Sequence, residues 1–301
     1  MFSCVGVGFH CVDYLLRITN MPSFEGPEHA RVVEYSVQGG GPVSTALVTM
    51  AKLGAKVAYM GRVGDDDAGR FILDEYKRYG VDISHVRVEK GGTSPRDLVL
   101  VHAETGERAF IFFPFKLEFL KIEDVDEELI GNSKILLIDG CRGEAFTKAC
   151  KLAKKTGSIV LMDGVPSKDL IGLVDIAIAS DDWVRAALKA KTVHEALEKL
   201  FARGVEIAGI TLGSEGSIFK TREEVFRQRG FKVKVVDTTG AGDVFHGAFA
   251  YGIAEGWDIR KTAEFASAVA AIKCKRLGGR AGIPNLQEAI NFLKKAGSPY
   301  F

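Results

Sequence analysis

The chain has 301 residues, 47% of them hydrophobic and 26% charged, with a formal net charge of +1, which is the length and composition of a globular protein with a sizeable core. That balance excludes binding to nucleic acid or an anionic membrane driven by bulk charge, and no apolar run is long enough to span a bilayer. Cys4, Cys11, Cys141, Cys150 and Cys274 form no CxxC pair and have no histidine cluster beside them, so they read as small buried thiols of a cytoplasmic protein rather than a zinc or disulfide framework.

Met1–His10 reads as a short strand entering a turn, without the basic region and long apolar stretch of a secretory signal. Residues 12–37 contain the alternating stretch RVVEYSV. A helix follows from Pro42 to about Leu53, with Val43, Ala46, Leu47 and Met50 at i, i+3, i+4 and i+7 and Pro42 at a first helical position. A second helix, roughly Asp67–Tyr79, opens on three aspartates and stops at Gly80. Residues 93–115 carry RAFIFFPF and a charged turn at Glu104–Glu107. With 12–37 they predict antiparallel strands outside the main sheet, forming a flap. Phe110, Phe112, Phe113 and Phe115 read as one buried strand face, with stacking on a nucleoside base as the alternative.

From Lys134 onward short apolar runs alternate with helical patterns. The runs are Lys134–Asp139, Ser158–Asp163, Val174–Ala179 and Glu206–Thr211; the helices are Glu144–Lys155, Val184–Ala190 and Val193–Arg203. This alternation predicts an α/β fold with a parallel sheet covered on both faces.

The chemistry concentrates in Val235–Tyr251, VVDTTGAGDVFHGAFAY. A β-branched strand is expected to run to Asp237, then a tight turn over Thr238–Asp243, then a helix ending near Gly256. Glycines at 240 and 242 permit positive φ and close approach of a ligand. The turn's amides would form an anion nest at a helix N-terminus, and Asp243 could accept a proton from an attacking hydroxyl. Alone, this motif leaves a second reading open, in which Asp243 caps the helix and the glycines only permit the turn. No GxxxxGK(S/T) sequence occurs, and Gly6-x-Gly8 is followed by Cys11 where a dinucleotide fingerprint needs a third glycine.

A second motif decides between them. GGGPVSTALVTMAKLG (residues 39–54) is followed by Ala55–Met60 and Gly61-Arg62-Val63-Gly64-Asp65-Asp66. This succession resembles the N-terminal signature of the ribokinase family, the PfkB-type carbohydrate kinases. DTTGAGDVFHGAF resembles its C-terminal signature, and ITLGSEG (Ile210–Gly216) falls between them in the right order. The resemblance implies one kinase domain over 1–301. Its fold would be a three-layer α/β sandwich with a mostly parallel central sheet and a small β-sheet lid formed by about 12–37 and 93–115.

The resemblance also implies roles. Gly240, Ala241 and Gly242 match the anion hole and Asp243 the catalytic base. Asp13 lies where an aspartate holds substrate hydroxyls, and Gly40 and Gly41 match a glycine pair facing the substrate. Asp139 matches a frequent sugar contact, with a helix cap as its other reading. Thr211, Gly213 and Gly216 resemble the nucleotide-side turn, compatible with a hairpin. Leu277–Pro284 resembles a loop beside adenine and, in some members, beside a monovalent cation. Asp237 and the backbone around Thr239 would serve that cation, expected to be K⁺. ATP and Mg²⁺ are the implied cofactors.

Two departures loosen the match. Thr45 replaces an asparagine after the glycine pair. Ser180-Asp181-Asp182-Trp183 replaces an Asn-x-x-Glu stretch, with Trp183 at the glutamate position, so Asp181 or Asp182 is expected to substitute at Mg²⁺. The expected reaction is transfer of the γ-phosphoryl of ATP to a primary hydroxyl of a sugar, with a neutral ketose or aldose as first choice. Arginines at 31, 96, 108 and 142 keep a phosphorylated or sulfonated sugar open if two converge over Asp13, Arg96 being the one placed at substrate. A non-catalytic ligand-binding protein on the same fold, or a Rossmann dehydrogenase, are the rivals. Flap strands could pair with those of a second copy to form a homodimer.

Overall fold

A computed structural model of the chain describes every residue except Phe24 and Pro27, two positions of the expected flap segment 12–37. Seven strands run parallel in the large sheet: β1 (Phe2–Val7), β4 (Val57–Tyr59), β6 (Val81–Asp82), β10 (Ser133–Ile138), β11 (Ile159–Asp163), β12 (Ile176–Ser180) and β13 (Ile207–Thr211). The antiparallel β14 (Ser217–Lys220) and β15 (Val225–Gln228) complete the order β15-β14-β13-β12-β11-β10-β1-β4-β6. Unbroken apolar runs are what strands buried on both faces require. Alternation then splits each run between two cores. Ile135 and Leu137 face α1 (Pro42–Lys52), α2 (Asp67–Tyr79), α7 (Ala241–Ala254), α8 (Ile259–Lys273) and α9 (Leu286–Lys295). Leu136 and Ile138 face α3 (Glu127–Gly131), α4 (Glu144–Thr156), α5 (Asp181–Leu188) and α6 (Val193–Phe201).

Beyond β1 the chain moves to β4 and β6 on one side, and beyond β10 to β11, β12 and β13 on the other. The direction of winding therefore reverses between β1 and β10, and the crevice outside their C-terminal ends is where such sheets bind ligands.

A second sheet has the order β3-β2-β8-β9, from β2 (Cys11–Ile18), β3 (Val32–Gly40), β8 (Arg96–His102) and β9 (Arg108–Phe112). It is the expected extra sheet with one correction: β2 and β8 pair in parallel, because two antiparallel pairs are joined edge to edge. The buried aromatic face is a second correction. β9 is an edge strand, exposed throughout, and Phe112 keeps 71% of its surface accessible. The short β5 (Gly61–Gly64) and β7 (Val86–Glu89) pair separately.

Three boundaries moved for local reasons. α5 begins at Asp181, three residues before the expected Val184, because two aspartates in its first turn complement the helix dipole. It ends at Leu188, two residues early. No strand precedes Asp237: the Val236 and Asp237 amides both donate to the Cys274 carbonyl, at 2.8 and 3.2 Å, which draws the chain away from any ladder. Among the described residues no helix is long and apolar enough to cross a membrane.

Candidate active site

Two helix N-termini meet at this crevice. α7 starts from Gly240 at φ 71°, where an added Cβ would lie 2.9 Å from the Gly279 Cα. Only glycine takes that conformation cheaply in so close a contact. Asp237 braces the turn: one carboxylate oxygen accepts from the Thr239 amide and hydroxyl at 2.8 and 2.7 Å, the other from the Gly278 amide at 2.7 Å. The capping reading of Asp243 fails on geometry. Gly240 is the N-cap, no side chain caps the helix, and Asp243 sits in the first turn. Burial pushes its carboxyl above the usual range, the Asp163 charge adds to this, and His246, Arg108 and Lys273 oppose it.

α1 starts from Gly41, directly after β3. The Asp13 carboxylate lies flat against Gly40: a Cβ there would come within 2.3 Å of its Oδ2. Asp13 stands opposite Asp97 across the β2–β8 ladder, and the Cys11 thiol donates to its Oδ1 at 3.1 Å. The Cys11, Asp13 and Asp97 ligand atoms all lie within 4.8 Å of one another. Burial, with lesser contributions from the Asp97 and Asp243 charges, raises Asp13 to about 6, against the Cys11 hydrogen bond and the Arg280 charge.

The raised pKa has a stability consequence. The folded state holds the Asp13 proton more tightly than the unfolded chain, so folding loses stability as pH rises from about 4 to about 6 and stays penalised above. Asp13→Asn should therefore raise stability by about 3 kcal/mol at pH 8 and leave it nearly unchanged near pH 4. Thermal melts at the two pH values test this; destabilisation at pH 8 would refute it.

Asp139 bridges the switch point. Its Oδ2 accepts the Phe9 amide at 2.5 Å and its Oδ1 the Cys141 amide at 2.9 Å, tying the loop after β1 to the loop after β10. It caps no helix, since α4 starts at Glu144 from Gly143. Burial raises its carboxyl pKa against those hydrogen bonds.

Sequence reasoning missed what holds the glycine pair. Arg280 is fully buried; its Nη1 lies 2.6 Å from Glu75 Oε2, and its Nη2 donates to the Gly40 carbonyl at 3.2 Å and to Ser44 Oγ. Glu75 Oε2 also accepts the Gly39 amide at 2.6 Å. Gln38 locks the same strand end to the 277–281 loop: its Oε1 accepts the Arg280 and Ala281 amides, and its Nε2 donates to the Leu277 carbonyl. Thr45 joins at the edge, 3.5 Å from Arg280 Nε. The charge at 280 inside LGGRAGIP and at 75 in a helix carried no pattern distinguishing them from surface residues.

Asp163, also missed, ends β11 as Asp139 follows β10, so strand-end position was the available signal. Burial, then the Asp139 charge, push it up to about 8. His246 lies inside the recognised motif: its Nδ1 is 2.7 Å from the Gly242 carbonyl and 3.3 Å from Asp163 Oδ2, and its Nε2 is 3.2 Å from the Ile178 carbonyl.

Other expected residues are drawn elsewhere. Arg96 pairs with Asp66 at 2.8 Å, Arg108 reaches Thr238 Oγ1 at 2.7 Å, and Arg31 and Arg142 are exposed. Arg185 takes both Asp181 and Asp182, at 2.6 and 3.0 Å, which leaves less of either for a cation. Thr211 ends β13 beside Ser180, and Gly213 and Gly216 form the β13–β14 hairpin with φ 58° and 97°. In the segment expected to serve K⁺, Asp237 and the backbone around Thr239, the Asp237 and Thr239 carbonyls both accept from Lys273 Nζ.

A mostly parallel sheet between helices, with a small sheet set over the crevice at its switch point, is the ribokinase-like architecture. It superposes on a putative ribokinase from Agrobacterium tumefaciens with a TM-score of 0.88 at 26% identity, covering 98% of each chain. A ribokinase from Thermotoga maritima gives 0.84 at 28% identity, covering 98% of this chain and 100% of the other. The chain belongs to the pfkB family of carbohydrate kinases, whose model matches residues 9–286, and it is a sugar kinase. A relative in Clostridium perfringens, named 5-dehydro-2-deoxygluconokinase, is 29% identical over 99% of this chain and 95% of its own length. One of the same name in Bacillus velezensis is 29% identical over 97% and 94%.

Proposed function

We propose that the protein transfers the γ-phosphoryl group of ATP to a primary hydroxyl of a sugar or sugar acid, with Asp243 as general base. The observation that carries this is Asp243 itself: it caps nothing and sits in the first turn of α7, beside the Gly240–Gly242 amides. Asp13, with Gly40, Gly41 and Thr45, holds and orients acceptor hydroxyls, and Asp139 borders them from the β10 side. Asp243 takes the hydroxyl proton as oxygen attacks the γ-phosphorus; the amides of Gly240, Ala241 and Gly242 and the N-terminus of α7 receive the transferring negative charge, and ADP leaves. Thr211, Gly213 and Gly216, with the 277–284 loop, would hold ATP.

Mg²⁺ screens the ATP phosphates. Asp163 would hold it, through water, better than Asp181 or Asp182: it ends β11 with its Oδ2 3.3 Å from His246 in the first turns of α7, whereas those two already have Arg185. The small sheet acts as a lid that excludes water, with Arg108 reaching the turn from β9.

Among acceptors, 5-dehydro-2-deoxygluconate is the first to test, because relatives matched over nearly their whole length carry its name. A neutral ketose or aldose is second. A phosphorylated or sulfonated acceptor is third, since Arg96 is held by Asp66 and Arg108 by Thr238. ADP release is measured over a panel of these compounds and adenosine with MgATP; turnover of none of the sugars would sink the reading. ATP without any acceptor-dependent turnover would instead favour a ligand-binding protein.

The exposed apolar residues of the lid, such as Tyr35 at 73% and Phe112, fit pairing with a second copy. Sedimentation should give twice the 32.6 kDa of the chain. Tyr35→Asp with Phe112→Asp should return the monomer; a wild type that sediments as a monomer at all concentrations refutes the dimer.

A further inference from the structure

α8 is alanine-rich and largely buried, and its last residue, Lys273, is buried completely. The Lys273 ammonium donates to the main-chain carbonyls of Asp237, at 3.0 Å, and Thr239. Nothing in the packing of α8 calls for a charge there, since an alanine-rich helix end buries more cheaply with an apolar side chain. An ammonium taken from water costs several kcal/mol unless compensated. The compensation is local: Asp237 is equally buried, and its negative charge is the main influence favouring the charged form of Lys273 against burial. The pair thus builds a fixed cation and its counter-charge into the base of the turn that carries Gly240–Gly242. Lys273 also acts on the Asp243 carboxylate, favouring its ionised form.

Two carbonyl oxygens, two residues apart and backed by a carboxylate, are the donor set a monovalent cation would use in place of its water shell. Here they do not fit a bound ion, because the ammonium already takes both. We infer that Lys273 is a resident substitute for a monovalent cation, holding the anion-binding turn in place so that the protein needs no K⁺. Lys273 touches neither substrate nor nucleotide in this account and is a positioning residue. The inference rests on the kinase reading only for its effect on rate; its binding consequence is independent of that reading.

The test has two readouts, thermal melting and kcat/KM, each in K⁺, Na⁺ and tetramethylammonium chlorides at equal ionic strength. Wild type should melt at the same temperature in all three, with kcat/KM unchanged within about twofold. Lys273→Ala should melt lower and turn over more slowly in tetramethylammonium, and K⁺ should restore part of both, because it can enter the vacated carbonyl pair. A wild type that K⁺ alone stabilises, or whose rate K⁺ raises by about tenfold or more, would overturn the inference. So would a Lys273→Ala protein as stable and active in tetramethylammonium as wild type. If Lys273→Ala does not fold, the wild-type comparison decides alone. If no acceptor is ever phosphorylated, the kinase reading fails while the melts still report whether K⁺ binds.

Discussion

Asp243→Asn should lower kcat by about 10²- to 10⁴-fold, the range general-base catalysis supplies. The amide keeps the shape of the side chain but cannot take the hydroxyl proton. Folding should not suffer, because a carboxyl held above its usual pKa by burial is a cost to the folded state, and the amide removes it. A melting temperature at or above wild type with activity nearly gone is therefore the expected pair of results. Acceptor KM should change little, since Asp13 and the Gly40–Gly41 segment carry binding. The wild-type pH profile adds a check: the base must be ionised, so activity falls on the acid side, with a limb displaced above the ordinary carboxylate value of about 3.9. Wild-type kcat in the Asn variant would remove Asp243 from the mechanism.

Glu75→Leu should destabilise the protein by about 3–5 kcal/mol, because it leaves the Arg280 guanidinium buried without its counter-charge. The effect should be read from equilibrium denaturation in urea, and a loss under about 1 kcal/mol would mean the pair is not the brace described. The double variant Glu75→Leu/Arg280→Met separates charge from position. Replacing both members with apolar residues is often neutral, so much of the stability should return. Acceptor KM should remain raised, because the Gly39 amide and Gly40 carbonyl have lost their partners. The two readouts then divide, as a purely structural pair would not allow.

The chemistry was legible where it is local. Asp243, Gly240 and Gly242 sit within four residues, so one turn's backbone requirements and one helix start place them together. Asp13 and Asp139 were singled out only through the resemblance to the ribokinase family, at positions after two of the apolar strands. Lys273, Arg280 and Glu75 were not legible. Each looks like an ordinary charged residue in a helix or loop, and its role depends on partners far away in sequence: Arg280 meets Glu75 across 205 residues and Lys273 meets Thr239 across 34. The Asp66 partner of Arg96 was hidden for the same reason, since it comes from another element.

The sequence by itself determined the α/β alternation, the turn with its carboxylate, and the family. Short-range backbone chemistry and the period of apolar residues carry all three. Tertiary structure alone decided that β2 and β8 run parallel, that β9 exposes its phenylalanines, and that Asp181 and Asp182 belong to Arg185. It alone placed a lysine under the anion turn where an ion was expected. Those outcomes depend on which buried charge finds which partner, and that competition is settled only when the whole chain has packed.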